Sequence, residues 1–213
     1  MPDDNSVNAR EICEKAPVIP VLVIDDVAHA EPLAEALVSG GLPILEVTLR
    51  TNAALDVIKA MSHQEGATVG AGTILSPADM HAAIDAGAKF GVSPGCTDEL
   101  LDASQEAKFP MLPGAATSKE IMHLLSRGYN MLKFFPAEII GGVGALKSYS
   151  SVFSKVGFCP TGGVNMKNAT DYLSLPNVVC VGGSWIAPKE ELAAGNWDEV
   201  RRLASAAAAL HRS

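Results

Sequence analysis

The sequence is short of basic charge, aromatic rings and long apolar runs, and each shortage removes a class of function. Sixteen Lys and Arg stand against 24 Asp and Glu, a net charge of −8. That balance repels phosphate backbones and anionic lipid surfaces, so neither nucleic acid nor membrane is an expected partner. Aromatic residues, at 5%, are too few for the base-stacking platforms of single-strand binders. No apolar run approaches the ~18 residues of a membrane span, and MPDDNSV at the start has neither the basic nor the apolar region of a secretory signal. Cys13, Cys96, Cys159 and Cys180 lie far apart, with no CxxC pair and no Cys/His cluster. Neither a disulfide framework nor a zinc site is suggested, and a reducing cytoplasm fits. His29, His63, His81, His123 and His211 are scattered through polar or helical stretches and read as surface or packing residues.

What is present is ample core material. Hydrophobic residues make up 48% and charged residues 19% of 213 positions, enough for one folded domain over residues 1–213 with a short N-terminal extension before the first strand. Eight Val/Ile/Leu/Phe-rich runs alternate with helix-spaced stretches, beginning near Val18, Ile44, Thr68, Lys89, Pro110, Met131, Gly157 and Val178. This is the pattern of repeated βα units, and eight of them predict a single (β/α)₈ TIM barrel. A doubly wound open sheet is less favoured, because no G-x-G-x-x-G turn follows the first strand. Ser76-Pro77 and the Thr117 to Glu120 capping box should start helices. Gly40-Gly41, Gly87 and Gly128 should stop helices in the left-handed conformation. Pro32 should delay or bend the first helix after β1. Asn196 should cap a final helix carrying Val200, Leu203, Ala204 and Ala207, whose Ala-rich tail closes the strand starts.

In a barrel, chemistry sits at the C-terminal ends of the strands. Alternation in Ile44 to Arg50 puts Leu45, Val47 and Leu49 on the helix side and Glu46, Thr48 and Arg50 on the inner side. Glu46 and Arg50 could form a structural ion pair, or could work at the mouth. Lys133, in the apolar strand MLKFFP, shares its face with Met131 and Phe135. An apolar wall disfavours the ammonium form and brings the amine toward the range useful for Schiff-base chemistry. The other reading is a lysine paired with Glu46 or reaching solvent. Thr161-Gly162-Gly163 and Gly182-Gly183-Ser184 end the last two strands, where backbone N–H groups can cradle a phosphate, although glycine turns also occur for conformational reasons alone. Thr73, after GAG, could donate to a carboxylate or cap a helix.

Together, LEVTLRT (Leu45 to Thr51), GAGT (Gly70 to Thr73), SPG (Ser93 to Gly95), KFFPAE (Lys133 to Glu138), PTGG (Pro160 to Gly163) and GGSW (Gly182 to Trp185) resemble the bacterial 2-keto-3-deoxy-6-phosphogluconate (KDPG) aldolases, also called 4-hydroxy-2-oxoglutarate (KHG) aldolases. The resemblance implies a class I aldolase on a (β/α)₈ barrel, typically trimeric, that cleaves KDPG to pyruvate and glyceraldehyde 3-phosphate in the Entner–Doudoroff route, with activity on KHG also expected. By position it implies Lys133 as the Schiff-base lysine and Glu46 as the general acid/base. Arg50 and Thr73 would hold the pyruvyl carboxylate, with Pro94 and Phe135 lining that end. Gly162, Gly163, Gly183 and Ser184 would cradle the phosphate, and Thr161 matches a position linked to stereochemical choice. No metal or other cofactor is implied. Cys96 and Ala115-Ala116 depart from the family pattern, which leaves fine substrate preference open. The alternatives are an aldolase for the galactonate epimer, a phosphosugar isomerase with Glu46 as base and no imine, or a sugar-phosphate-binding regulator.

Overall fold

The computed structural model describes residues 5–210; His211 and the first four residues lie outside them. Strands β1 (Val18–Leu22), β2 (Ile44–Thr48), β3 (Thr68–Gly72), β4 (Gly91–Val92) and β5 (Met111–Leu112) form one parallel sheet with β9 (Val181–Gly183), in the order β5-β4-β3-β2-β1-β9. A second parallel sheet holds β6 (Gly114–Ala115), β7 (Met131–Phe134) and β8 (Gly157–Pro160). β5 and β6 share one apolar run broken at Pro113, which has no N–H to give to a ladder. Isolated parallel bridges join Phe158 to Val178 and Thr161 to Gly182. The eighth run therefore begins pairing at Val178, but its regular ladder starts three residues later.

The helices that follow the strands start and stop where side-chain chemistry directs. Ser76 accepts from Asp79 N–H at the head of α4 (Pro77–Asp85), with Pro77 in the first turn, where a missing N–H costs nothing. Thr117 and Glu120 complete the capping box of α6 (Ser118–Ser126). Gly41, Gly87 and Gly128 have φ of +92°, +101° and +87°, as expected of glycines past a helix end. Gly40 does not: its φ is −77°. It is needed for space instead, because a Cβ there would come within 2.5 Å of Ala204 Cβ. Pro32 sits in the first turn of α2 (Ala30–Ser39), after a 3₁₀ turn at Val27–His29, so it delays the helix without breaking it.

Two expectations about the chain ends need correction. Asn196 precedes α10 (Trp197–Ala208) but does not cap it; its side-chain amide donates to Glu191 Oε2 at 2.6 Å. Val200, Ala204 and Ala207 are buried as α10 packs against α2, so the Ala-rich tail covers a helix and not the strand starts. That second task falls to α1 (Asn5–Glu14), which packs on β5 and β7. The stretch read as an extension places Cys13 in a buried cluster with Ile19, Ile44, Phe90, Val92, Leu112, Met131, Cys159 and Cys180, of which Ile44 and Met131 open their strands. A larger apolar layer, with Leu45, Val47, Leu132 and Phe134 facing Leu37, Val57, Leu124 and Leu146, lies between strands and helices. The alternation read in β2 and β7 follows: odd positions in β2 and even positions in β7 meet helices, and their neighbours face inward.

Candidate active site

The inner face of two strands changes character within two residues. In β2, buried Ile44 is followed by Glu46 and Thr48; in β7, buried Met131 is followed by Lys133. Lys133 Nζ and Glu46 Oε1 are 3.3 Å apart, with 7% and 3% of their side chains exposed. The pair resolves the ion-pair alternatives: the partner of Glu46 is Lys133, and Arg50 makes no ion pair among the described residues. It also corrects the picture of Lys133 in a purely apolar wall. Its amine faces a carboxylate on one side and the Phe135 ring on the other, 5.3 Å from the centroid. Taking two charges out of water is costly, and their attraction offsets that cost only in good geometry, so a buried pair of this kind is weak evidence for stability and a pointer to use.

The seat of Glu46 is made by an absent side chain. A Cβ on Gly72, across the β2–β3 pairing, would lie 2.2 Å from Glu46 Oε1, so the second glycine of GAG leaves the space the carboxylate occupies. The next residue, Thr73, has φ +61°. A β-branched residue is seldom held in that region, at a cost on the order of 1–3 kcal/mol, and such strain gathers at functional sites. Thr73 does not cap α4; Ser76 does.

Glu46, Arg50, Thr73, Pro94, Lys133, Phe135, Thr161, Gly162, Gly163, Gly183 and Ser184 all line one cavity of about 300 Å³. Every candidate catalytic and substrate-binding residue is thus brought to one place, from six different strand ends. Val21, Thr48, Val164 and Gly182 line it as well. Thr48 is legible as the second inward position of LEVTLR, between Glu46 and Arg50. Val21 and Val164 carry no local signal, because an apolar wall residue looks like core. Cys96, Ala115 and Ala116 do not line the cavity. Cys96 borders a separate hollow with Thr117, Lys119, Glu120 and His123, where burial and then the Glu120 and Asp98 carboxylates push its thiol up to about 11. It is therefore a poor nucleophile at neutral pH.

One end of the cavity offers backbone donors of the kind that suit an anion. Gly162 and Gly163 have φ of +96° and +82°, a run that only glycine adopts readily. Their carbonyls are tied back, Gly162 O to Glu138 N–H at 3.1 Å and Gly163 O to the Asn165 and Asn168 side-chain amides at 3.1 and 3.2 Å. Among the described residues neither glycine N–H has an acceptor, so two donors stand at the rim. Glu138, the last residue of KFFPAE, braces this turn: its side chain lies where a Gly163 Cβ would sit, and it accepts from the Tyr172 hydroxyl. Burial and then that hydrogen bond to Glu138 push the Tyr172 phenol well above its ordinary value.

Fold and site together define an α/β protein with a buried lysine–carboxylate pair at its strand ends, in a cavity also lined by an arginine and by glycine turns. Among the described residues no group of three or more His, Cys, Asp or Glu side chains could hold a metal ion, and no helix is long and apolar enough to cross a membrane. A family model for KDPG and KHG aldolases matches residues 9–203. The 2-dehydro-3-deoxy-phosphogluconate aldolase of Pseudoalteromonas atlantica is 48% identical over 95% of each chain. The Zymomonas mobilis 2-keto-3-deoxy-6-phosphogluconate aldolase, solved with 3-phosphoglycerate, superposes with a TM-score of 0.92 at 47% identity, covering 98% of each chain. The Legionella pneumophila KDPG aldolase, solved with pyruvate captured at low pH as a covalent carbinolamine intermediate, gives a TM-score of 0.92 at 46% identity, covering 94% of this chain and 98% of the other. The chain belongs to the KDPG and KHG aldolase family.

Proposed function

We propose that this protein is a class I aldolase that cleaves KDPG to pyruvate and glyceraldehyde 3-phosphate, and KHG to pyruvate and glyoxylate, through a Schiff base on Lys133. The observation that carries the reading is the Lys133–Glu46 pair, held at 3.3 Å in a cavity whose mouth bears Arg50 and the glycine turns. The pyruvate carbinolamine of the Legionella relative and the phosphate-bearing ligand of the Zymomonas relative support the two ends of the assignment.

Arg50 and Thr73 bind the substrate carboxylate, a planar anion suited to a guanidinium fork, with Pro94 and Phe135 along that end. This brings the C2 carbonyl to Lys133, converting attack into a local event. Glu46 takes a proton from the ammonium and the neutral amine adds to C2; Glu46 then returns that proton to the carbinolamine hydroxyl, which leaves as water, so that an iminium forms and Glu46 is again a carboxylate. Glu46, directly or through that water, then removes the C4 hydroxyl proton. The C3–C4 bond breaks, its electron pair enters the iminium to give an enamine, and C4 leaves as the aldehyde. Protonation of the enamine at C3 and addition of water to the imine release pyruvate and restore the lysine. The N–H groups of Gly162 and Gly163, with Gly183 and Ser184, hold the phosphate, and Thr161 touches the C4 region where the epimers differ.

The architecture we assign is one domain over residues 1–213 in which the two sheets close into an eight-stranded barrel. The continuity of β5 and β6 through Pro113 and the bridges Phe158–Val178 and Thr161–Gly182 support it. A homotrimer serving the Entner–Doudoroff route is our reading from the family likeness, and a cytoplasmic setting our reading from the widely spaced cysteines; a monomer mass in light scattering removes the trimer.

The test is to incubate the protein with pyruvate, add borohydride, and map the adduct. One adduct per chain on Lys133 is expected, because only an imine is reduced to a stable secondary amine. An isomerase or a binding regulator gives none, and an adduct on another lysine overturns the mechanism.

A further inference from the structure

We infer that Thr48 is a positioning residue that aims the Arg50 guanidinium at the substrate carboxylate; this rests on the reading of Arg50 as the carboxylate clamp. Thr48 is buried, with 2% exposure, and lines the site cavity between Glu46 and Arg50. Its hydroxyl donates to Leu22 O, at the end of β1, at 2.8 Å. That commits its one proton to the backbone and turns its lone pairs toward Arg50, whose Nε–H donates to Thr48 Oγ1 at 3.2 Å.

The direction of this chain matters. Arg50 lies in the turn after β2 and is exposed, and a long side chain there would sample many rotamers. A carboxylate could hold it, but would also occupy its charge. A hydroxyl whose proton is already engaged is a neutral tether: it fixes the guanidinium by Nε and leaves the two terminal nitrogens as a free end-on fork for an incoming carboxylate. Valine at position 48 would have the same shape and no lone pair.

The experiment compares two ketones, pyruvate and acetone, at concentrations below saturation, reading the rate of borohydride-trapped adduct in the full-length protein. Acetone forms the same imine but has no carboxylate to clamp. For Thr48→Val we expect pyruvate trapping about tenfold slower, the worth of a hydrogen bond to a charged group, with acetone trapping unchanged. In KDPG cleavage KM should rise while kcat stays within about twofold, and Thr48→Ser should restore both. Thr48→Ala gives the same comparison if the valine variant folds poorly. Equal slowing with both ketones would mean a structural role and overturn the inference, as would pyruvate trapping at the wild-type rate. Arg50→Gln separates the two levels. If it slows pyruvate selectively and Thr48→Val does not, the Thr48 inference alone falls; if it shows no selectivity, the clamp falls and the inference with it.

Discussion

The two ends of the same strands share one inner face, yet they do opposite work. At or just before the strand starts, Ile44, Met131 and Cys180 pack with Cys13 of α1 in a buried apolar cluster. Two residues further along β2 and β7, that face carries Glu46 and Lys133, both buried. Around them come Gly72, with no side chain to contest the carboxylate, Thr73 in a strained backbone, and paired glycines with free donors. One end is optimised for packing and the other accepts desolvated charge and strain, which the packed end makes tolerable. A parallel strand reveals this division because its direction is fixed: what comes first is support, and what comes last is chemistry.

Removing the lysine should separate the two ends most sharply. Lys133→Met is expected to abolish trapping and cleavage together. Methionine suits the apolar neighbours, but it strands Glu46 as an unpaired buried carboxylate, so a loss of about 3–5 kcal/mol is expected in denaturant unfolding. Adding Glu46→Gln should recover much of that stability with no recovery of activity. A Lys133→Met protein as stable as wild type would show that the pair contributes nothing at the strand ends.

Glu46→Gln alone keeps size and removes the base. Its kcat should fall roughly 10²–10⁴-fold while some pyruvate adduct can still be trapped on Lys133. Untouched turnover would reduce Glu46 to an ion-pair partner.

The anion seat is best probed at Ser184, which is exposed at the cavity rim. Gly163→Val is a poor probe, since its φ is positive and a Cβ would strike Glu138 at 2.5 Å. Ser184→Asp should raise KM for KDPG about tenfold by like-charge repulsion, screened at the surface, and leave KM for unphosphorylated KHG nearly unchanged. Equal effects on both substrates would put the phosphate elsewhere.

The packed end should answer in the opposite currency. Ile44→Ala is expected to cost about 2–5 kcal/mol of stability with kcat and KM close to wild type at temperatures where the protein stays folded. A selective loss of kcat would mean that the apolar cluster positions Glu46 directly.

How much of this was legible follows from what kind of signal each residue leaves. Glu46 and Lys133 stand out because a charge within an apolar strand needs a partner or a purpose, and the capping residues Ser76 and Thr117 announce helix starts by their own side-chain chemistry. Local pattern misled where a distant contact decided. Gly40 reads as a conformational glycine and is in fact a packing one, set by Ala204 far along the chain. Asn196 reads as a cap and instead bonds Glu191. The polar start of the chain offers no strong periodicity, so nothing in it foretold that Cys13 would seal the strand starts.

Periodicity and residue type within a few positions are enough to set the alternation of strands and helices, to show which strand faces turn inward, and to mark the candidate site side chains. Which of those side chains meet is a matter of three-dimensional packing. Lys133 could have paired with solvent, and Glu46 with Arg50; instead the sheets bring β2 and β7 to face each other, so that the two side chains meet at 3.3 Å, and Arg50 is left to Thr48 and the cavity mouth. Those choices are made between residues up to 87 positions apart, where no local preference reaches and only packing in three dimensions sets the distance.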